Sequence, residues 1–195
     1  MNTTAKVVGL YLGSFNPIHK GHLSIARQVL KTAGLHEVWF VISPQSPFKS
    51  VAALLDDDYR YEMVRLAIKN NPRLRACNIE FGLPQPSYTI NTLKALKEKY
   101  PETEFCIIIG SDNLDAFDKW KNYEDIISQY RLLVYPRVGS DGGRFRHHPS
   151  VTWIEAPLLD ISSTAVRAAV SQGQDVSKLL PAKVLGYINK MGFYK

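Results

Sequence analysis

Two histidines three residues apart, His19 and His22, frame Lys20 and Gly21 where an apolar run hands over to a helix. The handover reads Gly13-Ser14-Phe15-Asn16-Pro17-Ile18-His19-Lys20-Gly21-His22. A helix start presents unpaired N–H groups and the positive end of a dipole, so it is an anion site. Side chains three apart on a helix share a face. Each imidazole can donate a hydrogen bond to a phosphate oxygen, more strongly when charged. Gly13 permits a tight exit from the strand and close approach of a ligand to the backbone. Pro17 stiffens the loop, and Gly21 keeps a side chain out of the approach. His22 also falls on the apolar stripe of its helix, where a hydrogen-bonded core histidine would sit. No carboxylate or third ligand accompanies the pair, which argues against a metal site. The Gly-Lys-Ser/Thr of a Walker A loop and the spacing of a dinucleotide fingerprint are both missing. Histidines, glycines and strand–turn–helix context together point to phosphate binding.

A second helix start has a related character. Ile161-Ser162-Ser163-Thr164-Ala165-Val166-Arg167 follows a strand-like run at Val151 to Ile154. Ser162 suits an N-cap, and Ser163 and Arg167, four apart, share a face. Hydroxyls, free N–H groups and a guanidinium would converge on one anion. Ser and Thr open many helices for capping alone. Two such starts after two strands of one sheet carry more weight, since together they could grip a polyphosphate.

The elements that must position these groups alternate. Apolar runs at Val7 to Leu12, Glu37 to Ile42, Leu74 to Phe81, Phe105 to Ile109, Leu132 to Tyr135 and Val151 to Ile154 predict strands. Helical periodicity covers Gly21 to Ala33, Asp56 to Asn70, Tyr88 to Tyr100, Glu124 to Gln129, Ser162 to Ser171 and Ala182 to Met191. The stripe of the second helix is read as Tyr59, Met63, Leu66 and Ala67. The β-branched run at Phe105 to Ile109 predicts a strand covered on both faces. Alternation of this kind predicts an α/β fold, a Rossmann-like doubly wound parallel sheet with helices on both faces. Ligands of such sheets lie beyond the carboxyl ends of the strands, at the switch point. Long loops fall at Ser43 to Leu55 and Val138 to Ser150, the latter Gly- and Arg-rich and expected to be the more mobile.

At 195 residues the chain suits one domain with a sizeable core. We read residues 1–195 as that domain, with a C-terminal helical portion (about 160–195) packing on it. No apolar run approaches the ~20 residues that span a bilayer. The opening MNTTAKVVGLYLGSF has too short an apolar core for a signal peptide, so a cytoplasmic protein without a membrane partner is expected. Cys77 and Cys106 sit in apolar runs and read as buried, reduced thiols. The net charge of +6 fits an anionic small substrate or nucleic acid. The cations are scattered apart from a cluster near Arg144, Arg146, His147 and His148.

Other segments after strands are informative. Asp112, in Gly110-Ser111-Asp112, could accept from ribose hydroxyls while Gly110 lets a nucleoside lie against the backbone; a helix N-cap is the competing reading. Lys49 could meet a phosphate or stand solvated in its loop. Thr89 and Thr92 open a helix beside Tyr88, where free N–H groups would suit a carboxylate; Tyr88 could equally be core. Trp120, in the polar stretch DKWKNYED, is suited to stacking on a planar ring. Arg137 ends a strand and could reach a phosphate or remain an ordinary surface arginine.

These residues resemble the nucleotidyltransferase superfamily of the (H/T)xGH and ISSTxxR type, nicotinate-nucleotide adenylyltransferases of the bacterial type most of all. Besides the two end motifs, the resemblance includes Pro47-Phe48-Lys49, Ser87-Tyr88-Thr89-Ile90-Asn91-Thr92-Leu93, Ile109-Gly110-Ser111-Asp112, Trp120 and Tyr135-Pro136-Arg137. It implies transfer of AMP from ATP to nicotinate mononucleotide, with Mg²⁺ carried mainly by the ATP phosphates rather than by protein ligands. It further implies His19, His22 and Arg167 as catalytic residues. Gly13, Ser14, Phe15, Gly21, Gly110, Asp112, Ile161, Ser162, Ser163 and Thr164 would bind ATP. Lys49, Tyr88, Thr89, Thr92, Trp120 and Arg137 would bind the mononucleotide. A homo-oligomer is compatible with the resemblance. Asn16, Phe48 and Asn91 stand where bacterial members commonly carry Asp, His and Asp. Neighbouring readings are an adenylyltransferase for nicotinamide mononucleotide or for phosphopantetheine, though the latter lacks the SYTINTL and Trp120 features. A nucleic-acid-binding module would need clustered cations interleaved with aromatics, which the chain lacks. Intact His19, His22 and Arg167 argue against a silent nucleotide sensor.

Overall fold

A computed structural model describes residues 5–45, 54–156 and 161–195. Six strands form one parallel sheet: β1 (Lys6–Gly13), β2 (Glu37–Ile42), β3 (Leu74–Cys77), β4 (Thr103–Gly110), β5 (Leu132–Tyr135) and β6 (Val151–Trp153). Their order across the sheet is β3-β2-β1-β4-β5-β6. The chain winds outward from β1 in one direction through β3, then returns to β4 and winds the other way. The switch point therefore lies between β1 and β4, where Val8 pairs with Phe105 and Tyr11 with Ile108. Loops leaving these two strands diverge to opposite sides, which opens a crevice at their carboxyl ends.

Among the described residues, seven helices cover the faces: α1 (Lys20–Thr32), α2 (Asp57–Ile68), α3 (Thr89–Lys99), α4 (Ser111–Asp115), α5 (Tyr123–Gln129), α6 (Ser163–Ser171) and α7 (Ala182–Met191). Side chains alternate along β4. Phe105, Ile107 and Ile109 join one core with Leu93, Leu96, Leu114 and Ile126. Cys106 and Ile108 join the other with Val29, Met63, Val166, Val184 and Ile188. Both faces are thus dry, as the β-branched run required. Each fully buried aliphatic side chain contributes roughly 1.5–3 kcal/mol. Helices α6 and α7 share the core of α1 and α2 beneath β1 and β2.

Three expectations are corrected. Strand β3 stops at Cys77, and Ile79–Gly82 turns as a 3-10 helix, because Glu80 turns inward to meet α3. Helix α2 buries Arg60, Met63, Val64 and Ile68, one residue out of phase with the expected stripe, and leaves Tyr59 exposed. The Gly- and Arg-rich loop is pinned rather than loose. Phe145 is buried, Trp153 Nε1 donates to the Arg146 carbonyl at 3.0 Å, and Arg146 donates to the Asp141 carbonyl at 2.8 Å. Cys77 and Cys106 are buried and free. Burial pushes both thiols up, Cys106 to about 11.

Candidate active site

Helix α1 begins with a reciprocal cap made of the two histidines. His19 is the N-cap, and its Nδ1 accepts from the His22 N–H at 3.4 Å. His22 Nδ1 accepts from the His19 N–H at 3.3 Å. This is a capping box built from imidazoles in place of Ser and Glu. Its chemical effect is to fix both tautomers: a backbone N–H occupies each Nδ1, so the proton of each neutral ring resides on Nε2. The rings stack with centroids 3.7 Å apart. His19 is 4% exposed, and burial, aided by the Arg137 charge, lowers its pKa to about 4. At neutral pH it is an uncharged donor, so the stronger charged form is not the one presented. A Cβ on Gly21 would lie 3.0 Å from His19 Nδ1. Gly21 makes room for the histidine stack.

The loop between β1 and α1 is held from several sides. Phe15 adopts a positive φ of 46°, costly for a bulky residue. Its ring lies edge-on to Tyr11, His22 and Phe40 at 5.1 to 5.7 Å, which retains that backbone. A Cβ on Gly13 would press on the Phe15 ring at 3.1 Å. Arg60 is fully buried. It donates to the carbonyls of Ser14 at 2.6 Å, Ser43 at 2.9 Å and Leu55 at 2.8 Å, and pairs with Asp57. One cation thus ties the loops after β1 and β2 to the start of α2.

Helix α6 docks directly on this loop. Ser163 Oγ donates to the Pro17 carbonyl at 2.9 Å. Arg167 Nη1 donates to the Asn16 carbonyl at 2.8 Å, and its Nη2 donates to Thr164 Oγ1 at 3.4 Å. Ser162 Oγ caps the helix through the Ala165 N–H. Ile161 lies 3.6 Å from where a Gly21 Cβ would be. The two polar helix starts, more than a hundred residues apart in the chain, are therefore one site.

On the β4 side, Gly110 ends the strand and Asp112 lies in the first turn of the short α4. Asp112 stays exposed, 3.8 Å from Arg137 Nε, and accepts from Asn113. A Cβ on Gly110 would lie 2.9 Å from Arg137 Cγ, so the glycine lets Arg137 cross the strand end. Ser111, absent from the predicted set, is buried. Its Oγ accepts from the Arg137 N–H at 2.9 Å and donates to the Ser140 carbonyl. Between β1 and β5, the Tyr11 and Tyr135 hydroxyls meet at 3.2 Å.

The third group is looser. Tyr88, Thr89 and Trp120 are all half-buried. Lys121, beside Trp120, places its Nζ 4.6 Å from the Tyr88 ring centre, so the start of α3 and the Trp120 turn form one wall. The Trp120 ring tilts against Phe117 at 5.2 Å. Thr92 does not open to this wall. It is fully buried, its Oγ1 donates to Glu80 Oε1 at 2.7 Å, and its N–H donates to the Tyr88 carbonyl. The helical turn after Thr89 points it inward, so it holds α3 in place and cannot contact a ligand. Lys49 lies outside the described residues. Sequence reasoning missed Arg60, whose carbonyl partners lie in two loops away from its own helix. It also missed Ser111 and the tyrosine pair, which carried no signal.

Comparison with known proteins decides the lineage. The cytidylyltransferase-like family matches residues 10–169. A Cytophaga hutchinsonii protein described as "Probable nicotinate-nucleotide adenylyltransferase" is 48% identical over 187 residues, 96% of this chain and 97% of its own. The chain belongs to the cytidylyltransferase-like family, in its nicotinate-nucleotide adenylyltransferase branch. A Christiangramia forsetii protein of the same description is 45% identical over 190 residues, 96% of this chain and 98% of its own. The solved structure "Plasmodium falciparum nicotinic acid mononucleotide adenylyltransferase complexed with NaAD" superposes with a TM-score of 0.83 at 24% identity, covering 97% of each chain. That likeness establishes the shared fold. Among the described residues, no helix is long and apolar enough to cross a membrane.

Proposed function

We propose that the protein transfers AMP from ATP to nicotinate mononucleotide, giving nicotinate adenine dinucleotide and pyrophosphate. One observation carries this reading: Ser163 and Arg167 of α6 bond to the Pro17 and Asn16 carbonyls of the loop that leads into the His19–His22 cap. Both polar helix starts then face one triphosphate at the switch point. The names of the 45–48% identical relatives support the choice of acceptor.

A mononucleotide phosphate oxygen attacks the α-phosphorus in line. The new P–O bond forms as the bond to the β-phosphate bridge breaks, and pyrophosphate leaves. The nucleophile is already an anion, so no general base is required. Catalysis rests on positioning and on donors aimed at developing charge. His19 and His22 supply Nε2–H donors to the α- and β-phosphates. Arg167, Ser162, Ser163 and Thr164 hold the departing pyrophosphate, with Ser14, Phe15, Gly13, Gly21 and Ile161 shaping the backbone around it. The hydroxyls of Ser162 and Ser163 are engaged in capping and docking, so the guanidinium and the free N–H groups of α6 do most of this holding. Asp112 and Gly110 receive the adenosine ribose. Tyr88, Thr89 and Trp120 receive the pyridine, and Arg137, with Lys49, the mononucleotide phosphate. Thr92 supports that wall from inside.

Members of this family use a divalent metal with ATP, and we assign Mg²⁺ here. Among the described residues no cluster of three or more His, Cys, Asp or Glu side chains could cage it. The groups converging on the triphosphate are N–H donors and a cation, which fits a metal that arrives on the nucleotide. When bound, it would neutralise phosphate charge. We read residues 1–195 as one nucleotidyltransferase domain with the helical portion from about 160 packed on it, since α6 and α7 share the core of α1 and α2. Substrates of this kind and two free thiols suit the cytoplasm.

The test mixes the protein with ATP, Mg²⁺ and nicotinate mononucleotide and measures pyrophosphate. Release well above a His22→Ala control is expected; none would remove the reading. Nicotinamide mononucleotide and phosphopantetheine as acceptors settle the neighbouring alternatives.

A further inference from the structure

The segment after α7 reaches back into the site. Gly192 ends the helix at a positive φ of 68°, with its N–H and that of Phe193 both donating to the Ile188 carbonyl. The Phe193 ring then packs 4.9 Å from Tyr59 and 5.8 Å from Tyr187. Tyr194 follows with a positive φ of 64°, an unfavourable conformation for a bulky residue that must be held by its contacts. Its hydroxyl donates to Asn16 Oδ1 at 2.7 Å. Asn16 is 2% exposed. Its Oδ1 also accepts from the Leu55 N–H at 3.3 Å, and its carbonyl accepts from Arg167. One residue thus joins the loop after β1, the approach to α2, the phosphate-facing arginine of α6 and the segment after α7. Two bulky residues at positive φ, Phe15 and Tyr194, flank this junction.

We propose that Tyr194 is a positioning residue for the triphosphate grip: its hydroxyl fixes the Asn16 amide, and thereby the Asn16 carbonyl on which Arg167 is braced. The role rests on the reading of Arg167 as a phosphate ligand. The phenol suits a permanent donor. Burial raises its pKa far above the ordinary 10, although the Arg167 and Arg60 charges pull the other way. An amide oxygen accepting two N–H/O–H donors cannot rotate without losing both. The packing of α7 does not depend on the hydroxyl, because Val184 and Ile188 carry that burial. Removing the oxygen alone therefore acts on Asn16 rather than on the core.

The experiment compares Tyr194→Phe with the unaltered protein. The expected result is a loss of about tenfold in kcat/KM for ATP, the size of one buried hydrogen bond. KM for the mononucleotide should stay within about twofold and Tm within about 2 °C. In an Arg167→Lys background the same change should cost less than about twofold, because the brace it supports is already altered. Unchanged ATP kinetics, with or without a lower Tm, or equal losses in the two backgrounds, would overturn the proposal. Calorimetric binding of a non-hydrolysable ATP analogue separates this from the assignment of the acceptor. If the unaltered protein binds the analogue but releases no pyrophosphate with nicotinate mononucleotide, the acceptor reading fails. Tenfold weaker analogue binding by Tyr194→Phe would still support the brace, and equal binding would sink it.

Discussion

The proposed phosphate side and the proposed pyridine side of the crevice are built differently. On the proposed phosphate side, nearly every polar group is bonded to main chain: His19 and His22 to each other's N–H, Ser163 to Pro17, Arg167 to Asn16, Arg60 to three carbonyls of two loops. On the proposed pyridine side, Trp120 packs on Phe117 and Lys121 lies over the Tyr88 ring, while the Arg137 side chain has the exposed Asp112 carboxylate nearby at 3.8 Å. The first region is cross-tied by main-chain hydrogen bonds. The second is built mostly from ring faces. The arrangement teaches a division of labour: preorganisation is concentrated where charge develops in the reaction, and adaptable contact where only binding is needed.

The largest blow to this contrast should come from His22→Ala. It removes an aimed donor and half of the cap, so kcat should fall about 10²–10³-fold, as steady-state pyrophosphate release would show. A fall under threefold would mean that the pair is mainly a cap. Next comes pH. The folded His19 pKa of about 4 lies below the ordinary 6.5. Between those values the unfolded chain binds a proton that the folded chain refuses, so stability is full above about pH 6.5 and is lost as pH falls toward 4. The loss reaches up to about 3 kcal/mol. Glu80, whose carboxyl is raised by burial, works in the opposite direction. Chemical denaturation of the unaltered protein and of His19→Gln across that window isolates the histidine; matching slopes would refute it. Thr92→Val keeps the volume but leaves the Glu80 oxygen without its donor, at a cost of about 1–3 kcal/mol of stability. Mononucleotide KM should hardly move, whereas a large rise would restore Thr92 as a ligand. The smallest effect is expected at Trp120→Ala. Losing one stacking face should raise mononucleotide KM about tenfold and leave ATP KM unchanged, which two-substrate kinetics would resolve.

Much of the fold was legible because periodicity and burial agree. β2, β5 and α7 begin and end where their apolar patterns do, and the parallel α/β sheet followed from alternation, although the strand order that sets the switch point did not. The phosphate side was legible because glycines, histidines and caps have local causes. What resisted reading depends on distant partners. Arg60 draws α2 out of phase because three carbonyls from two other loops need a donor, and no local pattern announces that. Glu80 ends β3 early because Thr92, twelve residues on, receives it. The tie between Asn16 and Tyr194 spans 178 residues, so no local pattern could announce it.

The histidine cap has a consequence for how the site can be chemically probed. In each ring the lone-pair nitrogen is engaged by a backbone N–H. Acylating and alkylating reagents seek the lone pair, so both rings should be shielded from them. The ¹⁵N resonances of the His19 ring should show one pyridine-like nitrogen, Nδ1, and one pyrrole-like nitrogen, Nε2. What looks like a pair of reactive side chains is, to a nucleophile-hunting reagent, a continuation of the peptide backbone.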